Sequence, residues 1–270
     1  MAAAMADTAE AKANSAGEVP PLLEARNLEK RFGGVRALRG ASLTIRQGET
    51  VALVGDNGAG KSTFVKAIAG VQPPDGGEIR LKGEPVSIGS TKEAGRLGIE
   101  VVYQDLALAN SIDVAGNVFL GDEPVKFKLG WFSVPDFKRM ERETQATLER
   151  LRIRIPNPRR PVGQLSGGQR QAVAIGRSIR KEGGISLLIL DEPTAALGVE
   201  EVRKVLALIR TLKEHGQTML VISHDLEHVF HVSDRIAVMR SGRVHAIRET
   251  AQSSKAEIVQ LIVGDIEEHG

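Results

Sequence analysis

The residues Gly55–Thr63, GDNGAGKST, hold the spacing G-x-x-x-x-G-K-[ST], with Gly55, Gly60, Lys61 and Ser62 at its fixed positions and Gly58 as a further glycine inside it. Glycines in such a loop leave bare backbone N–H groups free to converge on an anion. A helix starting at Lys61 adds unpaired donors and partial positive charge at the same point. Lys61 can then reach β- and γ-phosphates, and the Ser62 hydroxyl can ligate Mg²⁺. Asp56, Asn57, Ala59 and Thr63 complete the loop. The chemistry is that of a nucleoside-triphosphate site.

A second set of chemical residues lies far along the chain. Ile185–Leu190 (ISLLIL) is a run apolar but for Ser186 that ends in Asp191-Glu192. Adjacent carboxylates at the end of a core strand are costly unless something binds them. Asp191 suits Mg²⁺, held through its water shell, and Glu192 can polarise a water for attack on a γ-phosphate. The competing meaning is a strand-end pair that caps the next helix. His224 ends another apolar run and can hydrogen-bond a phosphate or the attacking water. With His228 and His231 it has the i, i+4, i+7 spacing of metal ligands, but no H-E-x-x-H pattern and no cysteine accompany it. Ser166-Gly167-Gly168-Gln169 opens a helix and reads as an anion cradle without a lysine, or equally as a helix cap with a flexible hinge. Phe32, beside Gly33-Gly34, fits either a base-stacking platform or a buried core aromatic.

These residues need elements to hold them. Thr50–Val54 reads as a buried strand feeding the glycine loop, and Lys61–Ala69 as the helix after it. Further strands are predicted at Leu22–Leu28, Ala41–Ile45, Glu78–Leu81, Ile99–Tyr103 and Gln217–Ile222, with a hairpin of Arg235–Arg240 and Val244–Arg248 around Ser241-Gly242. Helices are predicted from Leu165 to about Glu182, stopping at Gly183-Gly184, over Val199–His215 and over Lys255–Val263. Strands alternating with helices imply a largely parallel α/β core. From about 105 to 161 long strands vanish. Asp136–Leu151 carries Phe137, Met140, Thr144, Leu148 and Leu151 at helical spacing, among many Lys and Arg. That segment reads as a helical insertion, its bases a solvated face or a docking surface. Residues 1–20 are small, charged and closed by Pro20-Pro21, as in a disordered tail, with one domain from 21 to 270.

Composition narrows the class. A net charge of +2 over 270 residues and 3% aromatics give neither a concentrated basic face nor stacking platforms, so no nucleic-acid partner is expected. No run approaches a membrane span, no secretory apolar segment opens the chain, and cysteine is absent; a cytoplasmic protein is the expectation.

Taken in order, GDNGAGKST, Gln104 after a strand, LSGGQ opening a helix, LLILDE and a strand-end His224 resemble the ATP-binding subunits of ABC transporters over residues 22–263. KRFGGVRAL, GIEVVYQDLAL, DVAGNVFLGDE, DEPTAALGVEE and HVFHVSDRI are similar to the carbohydrate-import branch, nearest its single-domain fructose importers. The resemblance implies a P-loop NTPase (RecA-like) core, an N-terminal antiparallel β subdomain and an inserted helical subdomain. It implies Phe32 packing on adenine and Gly55–Thr63 holding the phosphates. Gln104 would sense Mg²⁺ beside Ser62 and Asp191 and couple to the membrane subunit. Ser166–Gln169 would cover the partner's γ-phosphate, with Glu192 as general base and His224 as the switch. The implied ligands are ATP and Mg²⁺. The implied partners are a second copy, membrane permease subunits and, indirectly, a sugar-binding protein, at the cytoplasmic face of the inner membrane. Gly198 stands where most of the family carry Asp, which puts a cross-dimer contact in doubt. Rival readings are a soluble ABC-type ATPase on ribosomes or DNA, a nucleotide-holding regulator without turnover, and a P-loop kinase that would leave LSGGQ unused.

Overall fold

The computed structural model describes residues 20–129, 132–155, 157–180 and 184–264. All but the last residue of the tail expected at 1–20, and the predicted helix end at Glu182-Gly183, lie outside these ranges.

Runs that are apolar at every position must be buried on both faces, and here they line up as one sheet. Its spatial order is β12 (Arg243–Glu249), β11 (Arg235–Arg240), β3 (Thr50–Val54), β10 (Met219–Ile222), β9 (Leu187–Asp191) and β6 (Ile99–Val102). All are parallel except edge strand β12, which pairs antiparallel with β11 as the predicted hairpin. Alternate residues face opposite cores. Leu187 and Ile189 join a cluster with Phe64 and Ile68 of α1 (Lys61–Ile68), while Leu188 and Leu190 join Ile175 of α5 (Gly167–Arg180) and Ile209 of α6 (Val199–Glu214). Each such fully buried Leu or Ile contributes about 1.5–3 kcal/mol.

A second, antiparallel sheet covers α1 from the other side. Its order is β2 (Val35–Ile45), β1 (Leu23–Phe32), β4 (Gly76–Leu81), β5 (Glu84–Val86). The strand predicted to stop at Leu28 runs on to Phe32, because Lys30, Arg31 and Phe32 pair with Leu38, Arg36 and Val35 across a turn of Gly33-Gly34. α2 (Thr91–Arg96), capped by Ser90, was not foreseen.

Between β6 and α5 lies a body with its own core. It contains α3 (Val114–Phe119), a hairpin of β7 (Val125–Leu129) and β8 (Phe132–Pro135), and α4 (Phe137–Arg150). Val114, Phe119, Met140, Leu148 and Ile155 pack there against Val173 of α5. Of the expected α4 stripe, Met140, Thr144, Leu148 and Leu151 are buried, but Phe137, the first residue of the helix, is 68% exposed. The hairpin is a departure from the helical reading. Buried Asn117 ties this body to the chain after β6: it accepts from the Ala109 N–H and donates to the carbonyls of Ala109, Ile112 and Asp113. The chain closes with α7 (Leu226–Val232) and α8 (Lys255–Val263).

Parallel register is what makes a site possible. Ile222 of β10 pairs with Asp191 of β9 on one side and Leu53 of β3 on the other, and Val102 of β6 pairs with Leu190. The carboxyl ends of four strands therefore open on one edge, the place where α/β sheets bind ligands.

Candidate functional site

The glycine loop is clamped from both sides. Gly55 has φ +149, and a Cβ there would lie 2.1 Å from the Met239 carbonyl oxygen. Gly60 has φ +106, and its Cβ would lie 2.8 Å from the carbonyl oxygen of Ala37 on β2. Both positions exclude a side chain by conformation and by space. The Gly242 N–H, in the β11–β12 turn, donates to the Ala59 carbonyl at 2.8 Å. No side chain caps the first turn of α1, so its free N–H groups remain available to an anion. Lys61 Nζ donates to the Gly55 and Asp56 carbonyl oxygens at 2.6 and 2.9 Å. Burial lowers its pKa, while Glu192, Asp56 and Asp191 favour its charged form.

The strand ends bring the other residues to this loop. Asn57, Gly58, Gly60, Lys61, Ser62, Thr63, Gln104, Asp191 and Glu192 line one cavity of about 650 Å³, closed on another side by Arg36, Arg39 and Gly242. Burial, and then the neighbouring Glu192, push the Asp191 pKa up, and Lys61 and Lys66 oppose them. Glu192 has φ +50, a left-handed backbone uncommon for a side-chain-bearing residue, and its N–H donates to the Ile222 carbonyl at 3.0 Å. This twist turns Glu192 away from the strand and toward His224, whose Nδ1 lies 2.9 Å from the Glu192 carboxylate. Nδ1 then carries the ring proton, and Nε2 is the nitrogen left for another partner. The Tyr103 hydroxyl, next to Gln104, is buried without a hydrogen-bond partner among the described residues; burial and then Asp191 raise its pKa. Phe32 ends β1, 43% exposed, with Lys30 Nζ 5.9 Å from its ring centroid. It is thus surface-held rather than core, and it is absent from the residues lining this cavity.

None of Ser166–Gln169 lines that cavity. Ser166, Gly168 and Gln169 instead border a larger one of about 780 Å³ between α5, α6 and residues 151–154. Its size does not make it the reactive centre, since the acids, the lysine and the glycine loop all converge on the smaller cavity. Ser166 and Gln169 cap α5 reciprocally: the Gln169 N–H donates to Ser166 Oγ at 3.4 Å, and the Ser166 N–H to Gln169 Oε1 at 3.1 Å. The geometry shows the cap of the two readings of Ser-Gly-Gly.

Sequence reasoning missed what meets the Ser166 hydroxyl and the glycine N–H groups beside it. The pKa of the Glu201 carboxylate, from the first turn of α6, is lowered by the Ser166 hydroxyl and then by the N–H groups of Gly198, Gly168 and Gly167. The only signal was an acid three residues after Gly198, with glycine rather than serine at the cap. A depressed pKa supports the fold above the ordinary carboxylate range and loses that support as pH falls through the folded value. Glu201→Ala is therefore expected to lower Tm at pH 7 by about 2–4 °C. Thermal scans should show the difference closing as the pH is taken well below 4; a gap independent of pH would mean the carboxylate is not what ties the two loops.

Ser62, Gln104 and Asp191 present hydroxyl, amide and carboxylate oxygens to one cavity, a hard-donor set that suits Mg²⁺. Among the described residues no group of three or more His, Cys, Asp or Glu is arranged to hold a metal ion. The spaced histidines diverge: His228 Nδ1 meets Thr194 Oγ1 at 3.0 Å and His231 Nε2 meets Arg210 at 3.4 Å. Among the described residues no helix is long and apolar enough to cross a membrane.

With this geometry in view, comparison with known proteins gives consistent matches. The ABC transporter family model matches residues 38–195. The chain is 44% identical to the fructose import ATP-binding protein FrcA of Rhizobium meliloti, over 90% of this chain and 94% of that one. It is 43% identical to the xylose/arabinose import ATP-binding protein XylG of Sulfolobus acidocaldarius, over 89% and 93%. Among solved structures it resembles a dimeric post-hydrolysis ATP-binding cassette bound to ADP and Pi, with TM-score 0.68 and 26% identity over 84% of this chain and 98% of that one.

Proposed function

The chain belongs to the ABC transporter family as an ATPase, and on that premise we propose that it drives import of a sugar, fructose or a pentose such as ribose, through a separate membrane permease. One observation carries the mechanism. The phosphate loop and the Ser166–Gln169 segment open on different cavities of one chain. A second copy, turned to face the first, would set its cradle over the first chain's γ-phosphate, so that two chains complete two sites.

In each site the loop N–H groups and the start of α1 would take up the β- and γ-phosphates. Lys61 would leave the Gly55 and Asp56 carbonyls to reach them, a change favoured by the added negative charge. Ser62, Gln104 and Asp191 would hold Mg²⁺, which when bound neutralises charge on the phosphate oxygens. Glu192 would orient and deprotonate the attacking water, its own direction fixed by the left-handed backbone and by His224 Nδ1. His224, 72% exposed and tied to Glu192, would exchange that partner for the γ-phosphate through Nε2, and so act as the switch. Phe32 would pack on adenine from the end of β1. The partner's approach would require Ser166 and the Gly168 N–H to share or release Glu201. The body at about 105–161, an insertion set beside Gln104, would pass closure to the permease at the cytoplasmic face, with a sugar-binding protein delivering solute on the other side.

Reconstitution tests the whole reading. Vesicles carrying the permease and this chain should accumulate fructose or a pentose only with ATP inside the compartment that holds the chain. ATP hydrolysis without any sugar movement, and co-purification with ribosomes or DNA, would replace it with a non-transport ATPase.

A further inference from the structure

Gln104 stands on a loop rather than on a strand or helix, so its aim depends on what grips that loop. Arg177, in the last turn of α5, supplies the grip. Its Nη1 donates to the Ala107 carbonyl and its Nη2 to the Leu106 carbonyl, both at 3.0 Å. Carbonyls on a surface loop can bond water. Here they take a guanidinium whose burial lowers its pKa, with Glu100 favouring the charged form, and the two-pronged hold offsets the cost of that burial. Ala107 has φ +46, a left-handed backbone uncommon for alanine. It is fixed at its carbonyl by Arg177 and at its N–H by Asp105 Oδ1, 3.2 Å away. Leu106 and Leu108 pack against the cluster that contains Ile175 of the same helix.

The other end of α5 does different work. Ser166–Gln169 opens this helix about 15 Å along its axis from Arg177. One rigid element therefore borders the cavity of about 780 Å³ at its start and holds, near its end, the loop whose Gln104 lines the cavity of about 650 Å³. On the two-chain reading above, these cavities serve different nucleotides. Resting on that reading, we propose that Arg177 is a positioning residue that links the two sites. It ties the loop presenting Gln104 to one nucleotide to the helix presenting Ser166–Gln169 to the other, so that occupation of one site is felt at the second.

The test uses the Glu192→Gln chain with its membrane subunit. Closure on Mg-ATP is read by energy transfer between labels on Arg203→Cys, the chain having no cysteine of its own. Two linked sites should close cooperatively, with a Hill coefficient approaching about 2. Arg177→Lys puts a point charge where a fork held two carbonyls. It should need about tenfold more ATP for half-closure, with the Hill coefficient falling toward about 1, while the ATP affinity of the dilute chain stays within about twofold. Gln104→Ala should act alike, and the double variant should be no worse than either single one, because both residues act along one line.

Effects that multiply in the double variant, or closure by Arg177→Lys that matches the Glu192→Gln chain, would overturn the proposal. So would equal losses of ATP affinity and closure, the mark of a side chain needed for the fold alone. A second measurement does not depend on Arg177→Lys folding. In a chain too dilute to pair, Mg-ATP should slow hydrogen exchange at Ser166–Gln169, and Gln104→Ala should abolish that response; no response, or one that survives Gln104→Ala, would also overturn the link. Failure of the Glu192→Gln chain to close on ATP at all is a different result, which removes the two-chain reading itself and this proposal with it.

Discussion

Glu192→Gln is expected to lower ATP turnover by about 10²–10⁴-fold while ATP binding is retained, the range in which removing a general base falls. The expectation rests on three features that meet at this residue. Its backbone is left-handed at φ +50, its N–H is fixed to Ile222, and its carboxylate lies 2.9 Å from His224 Nδ1. Glutamine keeps the shape and the capacity to meet His224 but cannot take a proton from water. Steady-state phosphate release together with equilibrium ATP binding separates the two effects. Turnover within threefold of the unmodified chain would remove Glu192 from the role of base and leave His224 or the substrate itself to be considered. A joint loss of binding and turnover would instead indicate that the left-handed turn had collapsed.

The second large effect is expected at Lys61, and it is of a different kind. Nζ is bonded to the Gly55 and Asp56 carbonyls, so the loop is braced by the side chain that is proposed to meet phosphate. Lys61→Ala removes a charge-assisted contact to the triphosphate and the brace within the loop together. Affinity for ATP should fall about 10–100-fold or more, with turnover following from lost occupancy. Titration with a fluorescent ATP analogue reads this directly. ADP should be affected less at its far end, because Lys61 reaches the γ-phosphate as well as the β. Undiminished affinity in a folded Lys61→Ala chain would argue against the loop as the triphosphate cradle.

The parts of the fold legible in the sequence were those with contrast between inside and outside. VALV, LLIL and MLVI are apolar at every position because the parallel sheet is covered on both faces, and such runs stand out. The glycine loop was legible because its spacing is itself the geometry: Gly55 and Gly60 sit where a Cβ would strike backbone oxygens. The β7–β8 hairpin was not legible, because Val125, Lys126, Phe127 and Val134 are all exposed and give the sequence there no contrast between inside and outside to read. Phe137 fell on the predicted α4 stripe but lies outside the packed body, since the helix begins there and its first residue lies beyond the neighbours that bury Met140. For Phe32, which fits a stacking platform or a core aromatic equally in the sequence, the exposed position at the end of β1 rules out the core, because two glycines suffice for the turn and leave it on the strand. Glu201 was passed over for a general reason. An acid in the first turn of a helix is ordinary, and only the packing of α5 against α6, with Gly168 close against the Glu201 main chain, brings that carboxylate to a second helix.

The central claim is that one chain holds half of each of two sites. Sedimentation velocity of the Glu192→Gln chain, of 29.0 kDa, with its membrane subunit and saturating Mg-ATP examines it most directly. Two copies per complex that clasp on ATP, and separate when ATP is replaced by ADP, are the expected result. Single copies at every nucleotide concentration, with hydrolysis by the unmodified chain linear in protein down to the lowest dilution, would contradict it.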